Sequence, residues 1–183
     1  EVDPWGVQQI SGLANDFMAS SVAADKPFFV EIAHKSVHEP IRSRQVLRDK
    51  YAALPPGTVH KNIPYAAMTE DLDSSIATVM NKITELGIED NTYIFYVSDN
   101  GAPIAYSSNA PLKDGKVTIS EGGVRVPYIV KGPGIEPGTF SDVPVMTTDL
   151  MTTFASLAGY KGPTPQGVEG ADFTPVLFNG GEL

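Results

Sequence analysis

The chain predicts an α/β fold, a mostly parallel sheet flanked by helices, on three observations. The run Tyr93-Ile94-Phe95-Tyr96-Val97 is apolar, aromatic and β-branched throughout, as a strand covered on both faces must be. Ahead of it Met68, Leu72, Ile76, Val79, Met80, Ile83 and Leu86 recur every three or four residues, the spacing of a helix with one buried stripe. Two shorter apolar runs, 28–33 and 128–130, read as further strands.

Composition narrows the class. With 183 residues, 42% of them hydrophobic, the chain is long enough for one globular domain over 1–183 with a real core. It contains no stretch long enough to span a bilayer. A net charge of −9 argues against nucleic acid or an anionic membrane as partner, since both require a basic surface. An anionic substrate would require local positive charge. The absence of cysteine excludes disulfides and thiolate metal sites.

Taken in order, Ile10, Leu13, Ala14, Phe17, Met18 and Val22 share one face of an amphipathic helix packed on the sheet. Lys26-Pro27 ends that pattern, and the strand Phe28–Ala33 delivers His34, Lys35 and His38 to its carboxyl end. His38 stands in His-Glu-Pro, where Pro40 restricts its neighbour to an extended course. His34 and His60 read as solvated loop side chains, and Lys35 as surface charge. Residues 41–64, with Pro55-Pro56-Gly57, read as an irregular crossover. Pro64 suits the first turn of the long helix and Gly87 its stop, while Glu70, Asp71 and Asp73 read as solvated charge near its start.

The central strand stops on Ser98-Asp99-Asn100-Gly101. Ligands in open α/β sheets sit beyond the carboxyl ends of strands, so Asp99 and Asn100 fall where a site belongs. Their carboxylate and amide oxygens are hard donors suited to calcium or magnesium, although Asp-Asn-Gly is equally an ordinary turn. Further on, Leu112-Lys113-Asp114-Gly115-Lys116 and Glu121-Gly122-Gly123-Val124-Arg125-Val126-Pro127 follow closely, and adjacent glycines allow close backbone approach. Thr148-Asp149 caps a last helix with Leu150, Phe154 and Leu157 inward, and Pro175–Phe178 closes a tail running to Leu183.

Four stretches in this order, FFVEIAHKSVHEP, YIFYVSDNG, PLKDGKVTISEGGVRVP and TTDLMTTFASLAG, resemble the middle and later part of a type I sulfatase. That arylsulfatase-like family belongs to the alkaline phosphatase superfamily. The resemblance covers nearly the whole chain and implies a mixed sheet between helices, alkaline-phosphatase-like and here truncated at its N-terminal side. It implies hydrolysis of sulfate esters at a calcium site with a formylglycine nucleophile, in a periplasmic or secreted protein. Carried over by position, Asp99 and Asn100 look like two calcium ligands, and His38 and Lys116 like the pair that binds the sulfate group and the bridging oxygen. Lysine gives a compact positive charge for a sulfate oxygen, and histidine can donate to the departing alkoxide. Glu121, Gly122, Gly123, Arg125 and Pro127 match a structural signature, and Lys113 does not match the family lysine.

The departures are specific. No cysteine and no Ser-x-Pro-x-Arg segment is present to supply the nucleophile, and the paired aspartates of an early strand are missing. Calcium takes about six to eight oxygens, so the site is partial and the chain alone is expected to be inactive. A phosphate or phosphonate ester hydrolase of the same superfamily is one alternative, which Asn100 disfavours because such sites have histidine there. A non-catalytic domain binding an anion or cation is the other. Few strands leave an open sheet edge, which predicts a homo-oligomer or association with a missing N-terminal half.

Overall fold

The computed structural model describes residues 3–179. A 3-10 turn (Pro4–Gly6) leads into α1 (Val7–Ala23), followed by α2 (Gln45–Ala52), α3 (Ile63–Glu85) and a second 3-10 turn (Glu89–Asn91). Then come β1 (Ile94–Val97), α4 (Glu121–Val124), β2 (Tyr128–Lys131), α5 (Asp149–Leu157) and α6 (Thr174–Asn179). The chain divides into two compact units, one of residues up to 89 with 97–128, the other of 90–96 with the residues from 129 on.

In the first unit α1 and α2 both pack on α3. The expected long helix is present: Asn62 Oδ1 accepts the Tyr65 N–H at 2.9 Å, Pro64 lies in the first turn, and Gly87 takes φ +66° just beyond the end. Its buried face differs from the apolar stripe, however. Ala67, Met68, Asp71, Ser75 and Ile83 are buried, and on α1 the buried set is Val7, Ser11, Ala14 and Met18. Leu13 and Phe17, expected inward, are 63% and 46% exposed. The α1–α3 interface has small polar side chains at its centre, where the Ser11 and Ser75 hydroxyls bond each other and Ser75 Oγ donates to Val7 O at 3.2 Å. A count of apolar residues alone misses such a face.

Three further expectations are corrected. Asp71 is not solvated: it is 1% exposed and accepts from Arg44 Nε at 2.8 Å and Gln8 Nε2 at 3.1 Å. Residues 41–64 are not wholly irregular, because α2 forms there around its one buried side chain, Leu47, with Lys50 Nζ on both Glu70 oxygens at 2.7 and 2.8 Å. Eight residues with a single apolar anchor leave little periodicity to read. Residues 28–33 alternate half-buried and exposed side chains, the period of a strand with one covered face, yet they form no strand among the described residues. The described sheet therefore has two strands, in the order β1–β2, and the protein is richer in helix than expected.

The second unit is organised around aromatic rings. Phe95 of β1 meets Phe154 of α5 edge-on at 4.8 Å between centroids and Phe173 at 6.3 Å, and Phe173 is 1% exposed. Such edge-to-face pairs are favoured by the ring quadrupoles. The start of α5 is fixed otherwise than by a Thr148 cap. Asp149, 5% exposed, accepts from Met146 N and Ala171 N, each at 2.8 Å, and so ties the approach to α5 to the segment before α6. The tail packs back through Phe178 on Tyr93 at 6.3 Å, while residues 180–183 lie outside the described residues.

Candidate functional site

All four site residues lie in the first unit. β1 ends at Val97, and Ser98 Oγ donates to Asn100 O at 2.9 Å, closing a tight turn that presents Asp99 and Asn100. Asp99 is exposed, and its carboxylate meets no hydrogen-bond donor among the described residues. Asn100 Nδ2 donates to Gly101 O at 3.0 Å, which leaves Oδ1 as its acceptor atom. Two hard oxygens from consecutive residues thus stand at the end of β1 with no proton donor on them.

The chain leaving this turn is laced to the lysine segment through backbone. Gly101 N–H donates to Gly123 O at 2.9 Å, Lys116 N–H to Ala102 O at 3.2 Å, and Gly122 N–H to Lys113 O at 2.8 Å. Gly101 is buried, and a Cβ there would fall on the Gly122 carbonyl, so the approach requires glycine. Gly122 and Gly123, expected to allow a close backbone approach, form the other side of this contact within α4. Lys116 itself is half-buried. Its neighbour Val117 is 95% exposed and holds φ +68°, a conformation that β-branched residues rarely adopt. Thr118 pins it there, donating to Gly115 O from N at 3.2 Å and from Oγ1 at 2.8 Å.

His38 is exposed on the loop after residues 28–33, its N–H donating to Lys35 O at 2.8 Å. Its Nδ1 lies 2.8 Å from Glu39 O; a carbonyl only accepts, so Nδ1 carries the proton and Nε2 is left as the acceptor atom of the neutral ring. Among the described residues no hydrogen bond joins His38 to Asp99, Asn100 or Lys116. The backbone joins the segment after Asn100 to Lys116 through the Ala102 carbonyl, and Glu39 O selects the tautomer of His38.

The sequence reading missed His34. Its Nε2 lies 3.3 Å from Ser75 Oγ, and burial holds the imidazole below its ordinary range against the opposing pull of Asp3. Lys35 stands over the Trp5 ring, Nζ 4.2 Å from the centroid, and Arg42 is 5.1 Å away, so Lys35 is engaged in a cation–π contact. His60 Nδ1 lies 3.2 Å from Ser107 Oγ, and Tyr65 and Tyr106 stack at 6.4 Å. No signal in the sequence pairs these residues, which are 47 and 41 positions apart.

Among the described residues no cluster of three or more His, Cys, Asp or Glu side chains is placed to hold a metal ion. Asp99 and Asn100 suit calcium in kind, being bare oxygens, but supply two of the roughly six to eight it takes. No residue fits the formylglycine role, since the chain has neither cysteine nor the serine segment.

Comparison with known proteins bears on all of this. The family model described as Sulfatase matches residues 8–160. N-acetylgalactosamine-6-sulfatase of Mus musculus is 36% identical over 174 residues, 91% of this chain and 32% of that protein. A sulfatase of Formosa agariphila is 38% identical over 198 residues, 96% of this chain and 35% of the other. Among solved structures, Ps i-CgsB in complex with k-i-k-neocarrahexaose superposes with a TM-score of 0.84 at 29% identity, covering 93% of this chain and 38% of that one. The chain spans about a third of the length of the curated relatives it matches. With more than half of its residues matched by the family model, the chain belongs to the sulfatase family.

Proposed function

We propose that this chain carries part of the active site of a sulfuric ester hydrolase, in which Asp99 and Asn100 are calcium ligands and His38 and Lys116 bind the sulfate ester. The observation that carries the reading is the Lys116 N–H to Ala102 O bond, which ties the lysine to the chain two residues beyond Asn100. Calcium, when bound, would supply positive charge against the sulfate oxygens. Lys116 adds a second positive charge on a half-buried stem, where anion attraction survives the overall charge of −9. His38, fixed by Glu39 O, presents Nε2; protonated, it donates to the departing alkoxide, and neutral, it accepts a proton from water. The names of two of the similar proteins, one an N-acetylgalactosamine-6-sulfatase and one holding a neocarrahexaose, support a sulfated sugar as the substrate.

Calorimetric titration tests the reading. Calcium is expected to bind the chain weakly, and Asp99→Ala to abolish the heat. Sulfate is expected to bind with millimolar affinity and to lose it in Lys116→Ala. Calcium heat unchanged in Asp99→Ala would refute the metal assignment, and sulfate heat unchanged in Lys116→Ala would refute the anion assignment.

A further inference from the structure

We propose that Asn109 is the positioning residue of this site, a side-chain latch that sets the lysine loop in register with the metal-donor loop; the functional part of this rests on the assignment of Lys116 and Asn100 above. Asn109 Oδ1 accepts the Ala102 N–H at 3.0 Å, and its Nδ2 donates to Ala102 O at 2.8 Å and to Asp114 O at 3.0 Å. These partners fix the amide's orientation, because the two carbonyls can only accept and the N–H can only donate. One side chain thus reads three backbone groups on two loops. Ala102 lies two residues beyond Asn100, and Asp114 two residues before Lys116.

The same Ala102 carbonyl takes the Lys116 N–H at 3.2 Å on its second lone pair. Asn109 therefore orients the acceptor that holds the lysine's backbone. Gly115 is buried here, and a Cβ on it would meet Ala102 O and come within 2.6 Å of Asn109 Nδ2, so the latch closes only over a glycine. Other side chains do not reproduce the pattern. Aspartate keeps the acceptor but faces two carbonyl oxygens with negative charge, serine has a single donor, and glutamine is one methylene too long. Although a lysine reaches its target through four flexible carbons, a shift of its backbone by about 1 Å still misplaces the ammonium and is enough to cost a substantial share of a binding or catalytic effect.

Amide hydrogen exchange and sodium sulfate titration, both followed by NMR on the 183-residue chain, test the latch in Asn109→Ala and Asn109→Asp. Exchange at Lys116 N–H is expected to rise about tenfold in both variants, because both lose the two Nδ2 hydrogen bonds, each of modest net strength, to the carbonyls of Ala102 and Asp114. Ala102 N–H is expected to lose protection in Asn109→Ala but keep it in Asn109→Asp, which retains the acceptor, while the amides of α3 stay protected. The sulfate-induced shift at Lys116 is expected to weaken in step. A merely local role would expose Ala102 alone. Lys116 exchange unchanged in both variants overturns the latch. Lys116 exchange raised with its sulfate response intact overturns the positioning role and leaves Lys116 assigned to sulfate, whereas a Lys116 amide that does not respond to sulfate in the unsubstituted chain overturns that assignment.

Discussion

At the scale of single residues, the consequential side chains are polar and buried. Asp71 is 1% exposed against Arg44 at 26%, so removing the arginine strands a carboxylate away from water. Arg44→Ala is expected to destabilise the protein by about 2–4 kcal/mol in a urea melt, somewhat less than the roughly 3–5 kcal/mol of a fully buried pair because Arg44 is partly exposed and Gln8 stays on the carboxylate. His34 imposes a pH dependence with a definite sign. Its folded pKa is lowered by burial, so below about pH 6.5 the unfolded chain binds a proton that the folded chain resists. The His34 contribution is fully present above that pH and is lost as pH falls through the lower folded value. The urea midpoint should therefore drop between pH 7.5 and 5.5 by more in the native protein than in His34→Asn; equal drops would mean that His34 is not the group responsible. Val117 offers the opposite case. Its φ of +68° costs roughly 1–2 kcal/mol in a β-branched residue. Val117→Gly should raise the midpoint or leave it unchanged, and a clear loss of stability would contradict the strain argument.

At the scale of elements, α3 was legible because its apolar residues repeat the helical period from Met68 to Leu86, and β1 because its run is apolar and β-branched or aromatic without interruption. α2 was not, since one leucine makes no period; its stability comes from what it touches, and Leu47→Ala is expected to cost about 2–3 kcal/mol. A smaller effect would show that α2 is held mainly by its charged contacts to α3. The α1 face was misjudged for a related reason, because Ser11, Ser75 and Asp71 lead an interface that apolar spacing assigns to Leu13 and Phe17. Glycine-mediated lacing was half legible. Gly122-Gly123 announced a close approach, but its partner, Gly101, is set by three-dimensional contact and not by spacing. Gly101→Ala should displace the Asp99–Ala102 turn from α4, destabilising by about 1–3 kcal/mol and abolishing calcium binding together with it.

At the scale of the whole molecule, the residues of the proposed site come from stretches that the family resemblance identified, and the structure supplies the lacing between two of them. His38 arrives on a separate loop after residues 28–33, which form no strand among the described residues. The two-stranded sheet also keeps its expected consequence: light scattering should show self-association rising with concentration, and a monomer at all concentrations would refute it. With no residue for the formylglycine role, the 183-residue chain should hydrolyse a nitrophenyl sulfate no faster than buffer, with or without calcium. The most direct test of the account is whether its four residues answer one ligand. In a nitrogen-15 NMR titration with calcium and then sulfate, the amides of Asp99 and Asn100 should shift first, and those of Lys116 and His38 should follow along one sulfate-binding curve. His38 unmoved while the other three respond, or responses fitting separate affinities, would contradict a single sulfatase site.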